Sequence, residues 1–66
     1  MNKKMNPIKR ARLLAGLNQS ELAKLLGVTP GAVSQWETGR SMPRPRMLTE
    51  LSEVLRTPVD TLLRVG

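Results

Sequence analysis

Only three residues, Gly27-Val28-Thr29, separate two helical patterns in the middle of this chain. The first pattern opens on Asn18 with Glu21 three residues later, a spacing at which each side chain reaches the other's backbone N–H. Leu22, Ala23, Leu25 and Leu26 give it a wide apolar face, and Gly27 ends it by offering a left-handed residue. The second pattern opens on Thr29 and Pro30, a cap followed by a residue whose missing N–H would have had no partner there. It runs to about Thr38, and Gly39 stops it. So short a connection forces a sharp angle between the two helices, the helix-turn-helix arrangement. The apolar spacing predicts Leu22, Ala23, Leu26, Val28, Val33 and Trp36 as its buried set, with Ala23 small where the helices come closest.

The remainder reads as three more short helices. Asn6 and Pro7 are N-cap and first residue of a helix that ends at Gly16. In "RSMPRPR", Met42 and Arg44 each precede a proline and are steered towards extended backbone, so this segment is a loop. A fourth helix spans about Arg46 to Arg56, with Leu48, Leu51 and Leu55 on one stripe. Thr57 then caps a fifth, Pro58 takes its first position, Asp60 complements the helix dipole, and Val59, Leu62 and Leu63 form its apolar side. No alternating strand pattern occurs. The expected fold is all-α, one five-helix domain over residues 1–66, with 1–5 a flexible basic arm.

Charge narrows the function. Eleven Lys and Arg stand against five Asp and Glu, and no acid precedes Glu21, so the expected partner is a polyanion. Cysteine and histidine are both absent, which excludes disulfides and cysteine–histidine zinc sites. There is no P-loop and no Gly-x-Gly-x-x-Gly, so no metal, cofactor, small-molecule ligand or enzymatic activity is expected. No apolar run approaches the ~18 residues of a membrane span, and the N-terminus lacks a signal-peptide apolar region. A cytoplasmic location is expected. Trp36 shares a face with Val33 and reads as core, leaving no exposed aromatic for single strands or RNA.

The stretch "NQSELAKLLGVTPGAVSQWETG" resembles the helix-turn-helix of the phage repressor and Cro family. The resemblance runs from about Ile8 to Leu63 and includes "RPR" before the fourth helix, although "SMP" makes the preceding loop longer than in the shortest relatives. It implies a dimeric repressor that lays its third helix in the major groove of duplex operator DNA. The chain is too short to hold a separate oligomerisation or cleavage domain, which favours a stand-alone regulator of Cro or controller type. The rival class is a protein-interaction module, an antitoxin whose main task is to mask a toxin.

The outer face of helix three suits a groove. At about 100° per residue, Val33 and Trp36 point inward while Gly31, Ser34, Gln35 and Thr38 point outward. A helix entering a groove about 12 Å wide has little room for bulk. Gln35 is the expected base reader, since its amide can pair with N7 and N6 of adenine. Ser34 reaches a base or a phosphate, and Thr29, Pro30 and Gly31 complete the base-contact set.

Asn18 and Gln19 stand at a helix N-terminus, where free N–H groups favour phosphate; the resemblance implies the same contacts. Arg40, Arg44 and Arg46 are the other expected phosphate contacts, with Arg44 or Arg46 also placed to enter a narrow minor groove. Lys3, Lys4, Lys9 and Arg10 add diffuse attraction. Met42 and Met47 read as gap fillers, and Glu50 and Glu53 as solvated. Arg12 falls on the core side of helix one and Glu37 beside the Val33/Trp36 face, so the two are expected to pair. Two copies are expected on one duplex, joined through Leu62, Leu63 and the loop before helix four.

Overall fold

The computed structural model describes residues 5–63. Those residues form five helices and no strand: α1 (Pro7–Leu14), α2 (Gln19–Leu26), α3 (Pro30–Thr38), α4 (Pro45–Leu55) and α5 (Val59–Leu63). Lys3, Lys4 and most of the expected basic arm lie outside the described residues, as do the last three positions of the chain.

Local chemistry sets most boundaries. Asn6 Oδ1 accepts from the backbone N–H groups of Ile8 and Lys9 at the start of α1. At α2 the reciprocal cap is complete, with Glu21 N–H donating to Asn18 Oδ1 at 2.7 Å and Asn18 N–H to Glu21 Oε1 at 2.8 Å. Thr29 Oγ1 accepts from Ala32 N–H at the head of α3. Gly27 and Gly39 adopt φ of +73° and +81°, a left-handed backbone that ends α2 and α3 at low steric cost. The tail of α4 differs. Its left-handed residue is Arg56, at φ 51°.

The core draws on every helix. Ile8 and Ala11 of α1, Leu22, Ala23 and Leu26 of α2, Val33 and Trp36 of α3, Leu48, Leu51 and Leu55 of α4, and Leu62 of α5 are all buried. The helices α2 and α3 pack on each other, α1 covers α3 and α5, and α4 backs α2 and α5. Val28, of the expected buried set, is only partly covered.

Five sequence expectations are corrected. Leu25, expected on the apolar face of α2, is 60 % exposed, because the neighbouring helices cover only the Leu22/Ala23/Leu26 side. Met42 is also exposed; Pro43 beside it is the residue the loop buries. Leu62 turns inward and is 3 % exposed, so it is withdrawn from any surface contact. Thr57 Oγ1 accepts from no N–H of α5 among the described residues, and its hydroxyl donates backward to the Leu55 carbonyl. Arg46 lies in the first turn of α4, which begins one residue earlier than expected, and not in the loop.

Candidate nucleic-acid interface

The expected site residues fall on the N-terminal ends of α2, α3 and α4 and on the loop joining the last two. On α3, Gly31 and Gln35 are exposed and Ser34 is half-buried, while Val33 and Trp36 face the core on the opposite side. Gly31 is the informative residue. Its backbone is ordinary helix, unlike Gly16, Gly27 and Gly39, and an added Cβ would meet only Thr29 Oγ1, at 3.8 Å. Neither conformation nor internal space requires a glycine at this second position of α3.

Gln35 is not isolated. Ser41 Oγ donates to its Oε1 at 3.4 Å, so the loop after α3 touches the side chain expected to read a base. Thr38 is exposed as expected, and its hydroxyl donates to the Ser34 and Gln35 carbonyls. Thr29 and Pro30 are exposed at the helix start, where Thr29 already serves as cap.

Arg40, Arg44 and Arg46 are all exposed. Arg44 is the N-cap residue of α4 but makes no side-chain cap bond, and the first turn of that helix holds no acid. With a proline at its first position, this end of α4 has N–H groups without an acceptor among the described residues and two exposed arginines, Arg44 and Arg46, in sequence beside them, a favourable field for phosphate. The first turn of α3 likewise has no acid. Beside these arginines, Trp36, Met42, Pro43, Met47 and Glu50 enclose a shallow cavity of about 300 Å³.

Behind the surface lies an ionic frame. Arg12 Nε donates to Glu37 Oε2 at 2.6 Å and Arg12 Nη2 to Oε1 at 3.2 Å, a bidentate pair on side chains 8 % and 2 % exposed. Arg12 Nη1 also donates to the Leu17 carbonyl at 2.7 Å, just ahead of α2. Gln19 Nε2 donates to Glu37 Oε1 at 3.0 Å, and Asn6 Nδ2 to the Trp36 carbonyl at 3.1 Å. The last turn of α3 is thereby tied to α1 and to the first residue of α2. The Gln19–Glu37 bond is not legible in the sequence, since an uncharged glutamine at a helix start can be satisfied by solvent and calls for no partner. A glutamine beside a buried carboxylate becomes a signal only after α2 and α3 are packed.

Comparison with known proteins gives the same picture. A family profile described as helix-turn-helix matches residues 8–62. An SPbeta prophage-derived helix-turn-helix-type transcriptional regulator of Bacillus subtilis is 33 % identical over 57 residues, which are 86 % of this chain and 53 % of the relative. The chain therefore spans about half the length of that protein. A crystal structure of the P22 c2 repressor in complex with a synthetic operator superposes with a TM-score of 0.83 at 31 % identity, covering 94 % of this chain and 97 % of the other. The solution structure of the DNA-binding domain of the same repressor gives 0.80 at 34 % identity, covering 96 % and 86 %.

Proposed function

The chain belongs to the helix-turn-helix family, and from that premise we propose that it is a sequence-specific duplex-DNA-binding regulator of transcription, not an enzyme. In this reading α3 lies in the major groove, Gln35 and Ser34 meet base edges, and Gly31 with Pro30 lets the backbone come close. Asn18, Gln19, Arg40, Arg44 and Arg46 hold phosphates on either side. The protein acts in the cytoplasm as a repressor of Cro type, two copies occupying a palindromic site.

The observation that carries the reading is the unforced bareness of α3 at Gly31, beside the exposed Gln35. The net charge of +6 and the acid-free first turns of α3 and α4 supply the sequence-independent attraction. Contact between copies falls to Leu63, 42 % exposed, and to the loop around Met42, 66 % exposed, with Leu62 excluded by its burial.

Selection from a random duplex pool tests the proposal. A consensus with two inverted half-sites is the expected result. Retention of duplexes without any enriched sequence would reduce the protein to a non-specific basic binder and overturn the reading.

A further inference from the structure

We propose that Ser41 is the positioning residue for Gln35, its hydroxyl holding the side-chain amide in place on the open face of α3 before a duplex arrives. The proposal rests on the base-reading role of Gln35 and adds the group that sets where that amide stands. Gln35 is exposed, and among the described residues its side chain has one hydrogen-bond partner, the Ser41 hydroxyl, 3.4 Å from Oε1. A long side chain without such a tether samples many rotamers, and fixing it in one opposes binding.

The tether has a fixed base. Gly39 turns the chain with φ of +81°, and the Arg40 N–H then donates to the Gln35 carbonyl at 2.9 Å. The Ser41 N–H reaches the same carbonyl at 3.4 Å. Further along the loop, Pro43 is buried. The chain is therefore pinned on both sides of Ser41, and main-chain bonds to Gln35 itself bring the hydroxyl to that residue's side chain. None of these bonds uses the Ser41 side chain, so removing the hydroxyl leaves the loop where it is.

The groups left free suit an adenine edge. An amide oxygen can accept two hydrogen bonds. Ser41 occupies one acceptor position of Oε1, and the other stays available together with Nε2 for the N6 and N7 pair of adenine. The hydroxyl thus restrains the reader without consuming what it reads with.

Ser41→Ala keeps the backbone bonds and removes only the tether. Affinity for the selected duplex should fall about two- to tenfold, the cost of ordering one long side chain on binding, and affinity for a scrambled duplex by less than about twofold. In a Gln35→Ala background the same substitution should change neither. Ser41→Thr, which keeps the hydroxyl, should bind as the unaltered protein does. Equal losses in the two backgrounds would make Ser41 act independently of Gln35; that result, no loss at all, or a threonine variant as weak as the alanine one would overturn the proposal.

The DNA-free protein supplies a second readout. Nitrogen relaxation of the Gln35 side-chain amide should show restricted motion in the unaltered protein and freer motion in Ser41→Ala. Equal mobility in the two would contradict the tether. Failure of the base-reading premise is recognised separately, since Gln35→Ala would then leave the preference for the selected duplex unchanged and Ser41 would have no reader to position.

Discussion

The Glu37 side chain is buried and bound by Arg12. Truncating Arg12 to alanine leaves a buried carboxylate with only Gln19 for company, a change of about 3 kcal/mol. A chain of 66 residues has a total stability of roughly 3–10 kcal/mol, so urea denaturation of Arg12→Ala should show a much lower midpoint or no folded baseline. A loss below about 0.5 kcal/mol would mean that the pair is not structural. Gly31 behaves in the opposite way. Gly31→Ala should raise thermal stability by about 0.5–1 kcal/mol, since the fold has room for the methyl group, while weakening binding to the preferred duplex. Improved stability with unchanged affinity would show that α3 does not approach DNA closely at this point. Residues of this kind differ in how readily sequence reveals them. Arg12 and Glu37 are readable as partners because a charge on an apolar helix face needs one. Gln19 is not, because its bond to Glu37 exists only once α2 and α3 are packed.

Each helix start is a local event, which is why the caps are readable. Asn18 with Glu21 and Thr29 with Pro30 need only three or four residues to declare themselves. Burial is decided between helices, and there the sequence is less complete: Val28, expected in the core, is only partly covered. Leu25 and Leu26 are chemically identical neighbours on α2, and only Leu26, the one in the expected buried set, is buried, according to where α3 and α4 lie. The end of α4 falls where expected, at Arg56, and is closed by that arginine and not by a glycine. A left-handed backbone costs a non-glycine residue about 1–2 kcal/mol. Arg56→Gly should therefore stabilise the chain by several tenths to ~1 kcal/mol in thermal melts, the gain being reduced by the freer unfolded state. A lower melting temperature would show that the Arg56 side chain contributes more than its backbone costs. At the other end of α4, Arg44→Ala and Arg46→Ala should each lower the slope of log affinity against log salt by about one for every phosphate no longer neutralised. Unchanged slopes would place both guanidinium groups away from the DNA backbone.

One copy of this domain presents a single α3, which spans too few base pairs to specify a site. Two copies on one duplex, with their α3 helices about 34 Å apart, would satisfy both reach and symmetry. Protein–duplex titration on the selected site should therefore saturate at two chains, and Leu63→Asp should weaken binding of the second chain without unfolding the domain, as Leu63 is 42 % exposed. Saturation at one chain would remove the dimer from the account. In the proposed reading, base reading falls to the open face of α3 and phosphate holding to the arginines beyond it, with the Arg12–Glu37 pair tying α1 to the end of α3. A salt titration of Gln35→Ala on the selected duplex and on its scrambled counterpart tests that assignment most directly. The expected result is a loss of about 1–3 kcal/mol on the selected duplex, little change on the scrambled one, and a salt slope close to that of the unaltered protein. An equal loss on both duplexes would mean that α3 does not read bases through Gln35, and the assignment would be wrong.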